Sequence, residues 1–171
     1  MKLFVIDTNV ILMAGTKLRD LADDKIEVFE KCILFLHEIM NNGARVLFDD
    51  EGRIVQEYEF AYKINSYPNN ATEFFAYSLE HAELVHISET EENVYNEYPD
   101  DPVLRAFDPP DRKFIAVSYA YEDNAPIIEA TDSKWWGIVK NLKENGITVQ
   151  FIDEEYIKKK YIKKMGMLIV K

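Results

Sequence analysis

Apolar runs separated by polar turns recur along the chain, and their periods predict strands alternating with helices. Leu3 to Ile6 is continuously apolar and reads as a short, fully buried strand that ends at Asp7-Thr8-Asn9. Ile26, Phe29, Ile33, Leu36 and Met40 then recur at helical spacing, and Asn42-Gly43 closes that helix. Arg45 to Phe48 is a second strand, entering the acidic turn Asp49-Asp50-Glu51-Gly52. Ile54 to Tyr62 reads as a helix, with a hairpin through that turn as the alternative. From Asn65 to Asp101 the pattern is weakest. Pro68-Asn69-Asn70 interrupts it, Thr72 to Ala82 suggests a helix, and Leu84 to Ile87 a third strand.

The last part is clearer. Asp108-Pro109-Pro110-Asp111 opens a helix carrying Phe114, Ile115, Val117, Ser118 and Tyr121. Pro126 to Ala130 is a buried strand, followed by Thr131-Asp132-Ser133 and a helix from Lys134 to Asn145. Gly146 ends that helix and Ile147 to Ile152 forms the last strand. Strands alternating with helices imply βαβ units, a parallel sheet and an α/β fold. There is no repeat, low-complexity segment or linker, so residues 1–171 are expected to form a single domain.

Composition narrows the function classes. No apolar run approaches the roughly 18 residues needed to span a membrane. Met-Lys-Leu-Phe-Val-Ile-Asp reads as a strand rather than a signal peptide, and a cytoplasmic protein with no membrane partner is expected. The single cysteine, Cys32, excludes an intramolecular disulfide and a cysteine-based zinc site. With Phe29, Ile33 and Leu36 around it, it reads as core packing.

The net charge of −11 opposes broad affinity for phosphate backbones. That charge is uneven. Residues 156–171 hold six of the 20 basic residues and no acids, leaving 14 basic against 31 acidic residues before them. This basic tail reads either as a solvated face or as an arm, Lys158-Lys159-Lys160 with Lys163-Lys164, that contacts phosphates.

Three acids fall at comparable places. Asp7 follows the first strand, Asp132 follows the strand at 126–130, and Asp111 opens the helix preceding that strand. Loops that follow parallel strands share one edge of the sheet, where α/β proteins bind ligands, so Asp7 and Asp132 can converge, and Asp111 joins them if its helix starts at that edge. Asp108 reads as the helix N-cap ahead of Pro109. Asp132 could also cap the helix that follows it, although Thr131 and Ser133 are available. Two unit charges about 4 Å apart repel by about 4 kcal/mol at an effective dielectric of 20. A divalent cation relieves that repulsion. Oxygen donors without His or Cys point to Mg²⁺ or Mn²⁺ and to hydrolysis of a phosphodiester.

These stretches resemble the PIN domain family of metal-dependent ribonucleases. The resemblance is carried by Val5-Ile6-Asp7-Thr8-Asn9-Val10, by Asp108-Pro109-Pro110-Asp111-Arg112-Lys113-Phe114-Ile115-Ala116-Val117 and by Ile128-Glu129-Ala130-Thr131-Asp132. The ending Gly146-Ile147-Thr148-Val149 with Asp153-Glu154-Glu155-Tyr156-Ile157 is similar to that family's final strand and short helix. The resemblance implies a three-layer α/β/α sandwich on a parallel sheet of four or five strands. It implies one or two Mg²⁺ or Mn²⁺ ions held by Asp7, Glu57, Asp111 and Asp132, with Asn9 and Thr131 orienting those ligands and RNA as substrate. Asp49, Asp50 and Glu51 compete with Glu57 for the second acid. An antitoxin-like protein partner and a homodimer are further implications, as is a role in RNA processing instead of toxicity. The segment at about 64–105 is longer than in compact members, and its role is not implied.

The rival readings are a non-catalytic PIN-like interaction module, a phosphatase and a nucleotide-binding protein. A phosphatase would want a second Asp two residues after Asp7, where Asn9 stands, and no Gly-rich phosphate loop exists. His37, His81 and His86 lack metal-ligand spacing and read as structural or surface groups. Trp135-Trp136 reads as a helix pair packing one ring on the sheet, with base stacking as the alternative.

Overall fold

The computed structural model describes residues 2–64, 69–123 and 125–169. Pro68, one of the residues expected to interrupt the middle segment, lies outside them, as do the last two residues of the basic tail. The central sheet has five parallel strands: β1 (Leu3–Ile6), β2 (Arg45–Asp49), β3 (Ala82–Val85), and two later ones. A separate antiparallel pair, β4 (Glu89–Glu91) and β5 (Val94–Tyr95), intervenes before β6 (Ile127–Glu129) and β7 (Val149–Phe151). The order across the main sheet is β3-β2-β1-β6-β7. Leu3 is in register with Arg45 on one side, and Val5 with Ile127 on the other.

The helices are α1 (Thr8–Gly15), α2 (Ile26–Asn41), α3 (Arg53–Ile64), α4 (Asn70–Glu80), α5 (Pro102–Arg105), α6 (Arg112–Ala120), α7 (Val139–Glu144) and α8 (Glu154–Ile169). α1, α2 and α4 pack on one another, while α6 packs across β1, β2 and β6. Right-handed crossovers put these two groups on opposite faces, giving a three-layer α/β/α sandwich. From β1 the chain runs outward to β2 and β3, then returns past β1 to β6 and β7. The strand order therefore reverses between the carboxyl ends of β1 and β6, the place where open α/β sheets form a crevice.

Most expected elements are present with shifted ends, α4 and β3 each two residues early, and several of the shifts have a local cause. β6 stops at Glu129, one residue early, because the Ala130 amide leaves the sheet to donate to the Asn9 side chain. β7 starts late because the Ile147 amide turns back to the Leu142 carbonyl. Gly146, at φ +79°, makes that reversal in a backbone region that β-carbon-bearing residues rarely enter. The expected helix from Lys134 to Asn145 is two pieces. The Asp132 carboxylate accepts from the Lys134 amide at 2.9 Å, and the chain first winds as a 3₁₀ turn, Trp135–Ile138, before α7 begins. Residues 54–62 are helical, which removes the hairpin alternative. α1 begins directly after Asp7, a helix the apolar spacing did not reveal. The hairpin β4–β5 and the short α5 are further elements of the unread middle segment.

The buried face of α2 is Val28, Cys32, Leu36 and Ile39, with Phe29, Ile33 and Met40 packed at its margins and Ile26 exposed. Cys32 lies in the core as expected, and burial pushes its thiol up to about 12. Trp135 is fully buried with its ring edge-on to Phe107, 4.9 Å between centroids, while Trp136 lies half-buried against Phe151. His81 stacks on Tyr77 at 4.0 Å, His37 meets Asn70 at 3.1 Å, and His86 pairs with Asp50 at 2.7 Å.

The ending departs most from expectation. The short helix implied by resemblance is a helix of 16 residues, so the basic tail is continuous with the last regular element. Asp153 caps it by accepting from the Tyr156 amide at 2.9 Å, and Lys31 of α2 holds the same carboxylate at 2.7 Å. Tyr161 lies over Gly137, where a β-carbon would stand 3.1 Å from the ring; glycine lets α8 dock closely on that turn. Among the described residues no helix is long and apolar enough to cross a membrane.

Candidate functional site

Asp7 ends β1 and begins α1. Its carboxylate accepts from the Asn9 amide at 2.9 Å, which caps the helix, and its own amide donates to the Ile128 carbonyl at 3.0 Å. One and the same residue is thus helix cap and floor of the crevice. It is 5 % exposed, and beneath it the buried Tyr58 hydroxyl donates to the Ile6 carbonyl.

Asn9 ties the two sides of the crevice together. Its amide nitrogen donates to Glu129 Oε2 at 2.7 Å, and its oxygen accepts from the amides of Ala130 and Thr131 at 3.0 and 3.2 Å. The other oxygen of Glu129 accepts from the amides of Thr131 and Asp132 at 2.8 and 2.7 Å. Asn9 therefore orients Glu129, and the contacts that Thr131 makes here come from its backbone. That differs from the side-chain roles implied by resemblance, because the loop after β6 is wound around a carboxylate that resemblance did not assign.

Glu129 is that carboxylate. It is fully buried and within electrostatic reach of Asp7. With both withdrawn from water, the charge of Glu129 opposes ionisation of Asp7. Burial is the largest cause of the upward shift in both, followed for Asp7 by the charges of Glu129, Asp111 and Glu57. Glu129 is pushed up to about 7, and Asp7 well above the carboxylate range. The sequence signal was a lone acid inside an apolar strand, a position that demands a partner.

Asp111 closes a 3₁₀ turn, Pro109–Asp111, at the start of α6. Burial first, then Asp132 and Asp108, push its carboxyl up to about 6, against Lys113 and Lys134. The structure thus brings Asp7, Glu57, Asp111 and Asp132 within electrostatic reach through a chain of neighbours at one edge of the sheet. Among the competitors for the second acid, Asp49 accepts from the Arg53 and Ile54 amides at 2.8 and 2.9 Å, capping α3. Asp50 pairs with His86, and Glu51 with Arg53 at 2.6 Å. All three are engaged away from Asp7, which leaves Glu57 on α3.

Two lysines answer this charge. Lys113 is buried; its ammonium pairs with Glu57, donates to the Pro110 carbonyl, and lies 4.8 Å from the Phe114 ring centre. Lys134, at the rim, pairs with Asp108 and stands 3.8 Å from Asp132. Asp108 occupies the N-cap position as expected, but its side chain makes no cap hydrogen bond and reaches Lys134 instead. The buried Thr8 hydroxyl, next to Asp7 in the chain, is without a hydrogen-bond partner among the described residues.

The donor set fits a hard cation in kind. It is all oxygen, and its acids crowd one edge of the sheet where a cation would relieve their repulsion. Side-chain positions fit it less closely. Among the described residues no three acidic, histidine or cysteine side chains stand together as a ready-made ion site, and Lys113 already neutralises Glu57. No family of known proteins, no curated protein and no solved structure matches this chain.

Proposed function

We propose that this chain is a divalent-metal-dependent endoribonuclease of the PIN type, hydrolysing phosphodiester bonds of RNA. The observation that supports the reading is the gathering of Asp7, Glu57, Asp111, Glu129 and Asp132 at the β1–β6 reversal, with Lys113 and Lys134 set against them. A fold has no structural need to bury like charges there.

Asp7, Glu57, Asp111 and Asp132 are the residues that would hold Mg²⁺ or Mn²⁺, which polarises phosphoryl oxygens and makes water a nucleophile near neutral pH. Glu129 and Asn9 position Asp7 and the Asp132 loop. Asp132, on the open side of the crevice, is placed to accept a proton from an attacking water. Lys134 sits at the rim with its charge shared between Asp108 and Asp132, where it can meet an incoming phosphate. The cytoplasm is the expected compartment. An antitoxin-like partner, a homodimer and the choice between toxin and processing enzyme rest on resemblance alone.

A second reading, a non-catalytic interaction module, is favoured by one observation: the Lys113–Glu57 pair and the lack of a ready-made ion site among the described residues. Cleavage of single-stranded and structured RNA in Mn²⁺, Mg²⁺ or EDTA separates the two. The ribonuclease reading expects metal-dependent cleavage that Asp7→Asn and Asp111→Asn abolish. Cleavage equal in the variants, or absent under all conditions, supports the module.

A further inference from the structure

The chain is acidic overall, yet α8 carries five lysines from Lys158 to Lys164 and no acid after Glu155. This helix faces the start of α2 across a groove of about 620 Å³ lined by five lysines, Lys25, Lys160 and Lys163 among them, and by four acids, of which Asp24 makes no ion pair among the described residues. Some of that charge is spent locally. Lys31 is held by Glu27 and Asp153, both at 2.7 Å, and Lys159 stands 3.5 Å from Glu155. Lys25, Lys163 and Lys164 make no ion pair among the described residues.

The groove is not isolated from the acidic crevice. Lys160 donates to the Thr131 carbonyl, one residue from Asp132 and two from Glu129. From there Lys163 and Lys164 continue at helical spacing, and Lys25 approaches from the opposite wall; Lys160 feels the charges of both Lys25 and Lys164. With Glu27, Asp153 and Glu155 engaged by Lys31 and Lys159, the remaining ammonium groups of the groove outnumber its one remaining acid, Asp24, and leave room for a further anion. Tyr156, in the wall of the groove, has its ring centre 5.7 Å from the Lys160 ammonium. A row of cations that can track a phosphate backbone is the electrostatic element of a single-strand binding surface.

We propose that the α2–α8 groove binds the phosphate backbone of a single-stranded nucleic acid and leads that strand to the crevice at Asp132. The location of the groove is argued from its own residues; the choice of RNA as the strand rests on the ribonuclease reading. An acidic protein segment is the competing occupant. Nucleic acid is favoured because the cationic row opens, at Lys160 and Thr131, onto the crevice in which the ribonuclease reading puts phosphodiester chemistry.

The test is fluorescence anisotropy of a labelled single-stranded RNA 12-mer with the full chain in EDTA, across a salt series. The wild type is compared with the Lys25→Gln/Lys163→Gln/Lys164→Gln triple variant, and circular dichroism checks that α8 is retained. Loss of three phosphate contacts should lower the slope of log K against log salt by about 2 and weaken binding by about tenfold or more at low salt. A Lys25→Arg/Lys163→Arg/Lys164→Arg variant should bind as the wild type does. Equal binding and slope in the glutamine variant, or no binding by the wild type, overturns the proposal. So does equal binding of a labelled poly-glutamate 12-mer, which assigns the groove to a protein partner. Because binding is read without metal, failure of cleavage with intact, lysine-dependent binding rejects the ribonuclease reading and leaves the groove standing.

Discussion

The Asn9 amide nitrogen holds Glu129 at 2.7 Å while its oxygen accepts from the backbone amides of Ala130 and Thr131. Three of the four hydrogen bonds that this side chain can make therefore join α1 to the end of β6. Asn9→Ala removes the donor to a buried carboxylate and orphans two amides, and should destabilise the fold by about 2–3 kcal/mol. Asn9→Asp keeps the acceptor but sets a second charge beside Glu129. Its destabilisation should shrink on going from pH 8 to pH 5, as protons relieve the repulsion. Urea unfolding of both variants at the two pH values checks this; an alanine variant as stable as the wild type would show that the link is dispensable.

Asp7→Asn keeps a cap for the Asn9 amide and removes the most strongly perturbed carboxyl of the crevice. Without metal the variant should be more stable than the wild type by about 1 kcal/mol, since it no longer buries that acid against Glu129, Asp111 and Glu57. Mn²⁺ should raise the melting temperature of the wild type through linkage and leave that of the variant nearly unchanged. A variant that melts lower without metal and still responds to Mn²⁺ would sink the cluster as a cation site.

The metal-free protein should lose stability as the pH rises from about 4.5 to 7.5. Asp111, pushed up to about 6, and Glu129, to about 7, bind more protons folded than unfolded across that window. Stability then falls with pH until the folded groups ionise, by an amount on the order of 2–4 kcal/mol. His86, held up by Asp50, contributes with the same sign, so the comparison is made in a His86→Ala background. The acids with lowered values, such as Asp101 and Asp153, titrate below this window and do not mask it. Glu129→Gln should flatten the upper half of the profile in thermal melts.

What the sequence disclosed about this site follows the physics of each signal. Asp7, Asp111 and Asp132 were legible because each stands at the junction of an apolar run and a polar turn, and parallel strands carry such junctions to one edge. Glu129 and Lys113 were not: Glu129 stands inside the apolar run from Pro126 to Ala130, and Lys113 directly before the apolar residues Phe114 to Val117. A charged residue inside a buried run is rare enough to demand a partner, and that was the unused signal. The hairpin at Glu89–Tyr95 gave less to read. It is held by groups distant in sequence, Arg53 donating to Glu89 at 2.9 Å, and its turn uses Asn93 at φ +60° where no glycine marks it. Asp101 similarly ties the middle segment to α7, accepting from Asn141 at 3.0 Å, a contact that no local pattern announces.

Lys113 gives the last expectation. Its ammonium is buried and paired with Glu57, whose side chain is 34 % exposed, within the cluster that raises Asp111. Lys113→Met removes the internal cation and leaves Glu57 and Asp111 uncompensated, and should destabilise the metal-free protein by about 3 kcal/mol. Adding Glu57→Gln should restore most of that loss, because the two groups act as a pair. If an added cation uses the same carboxylates, it competes with Lys113 for them. Mn²⁺ should then raise the melting temperature of Lys113→Met more than that of the wild type, and the gain should disappear in the double variant. An unchanged metal response in Lys113→Met would mean that lysine and metal hold different carboxylates, and Glu57 would lose its place among the proposed ligands.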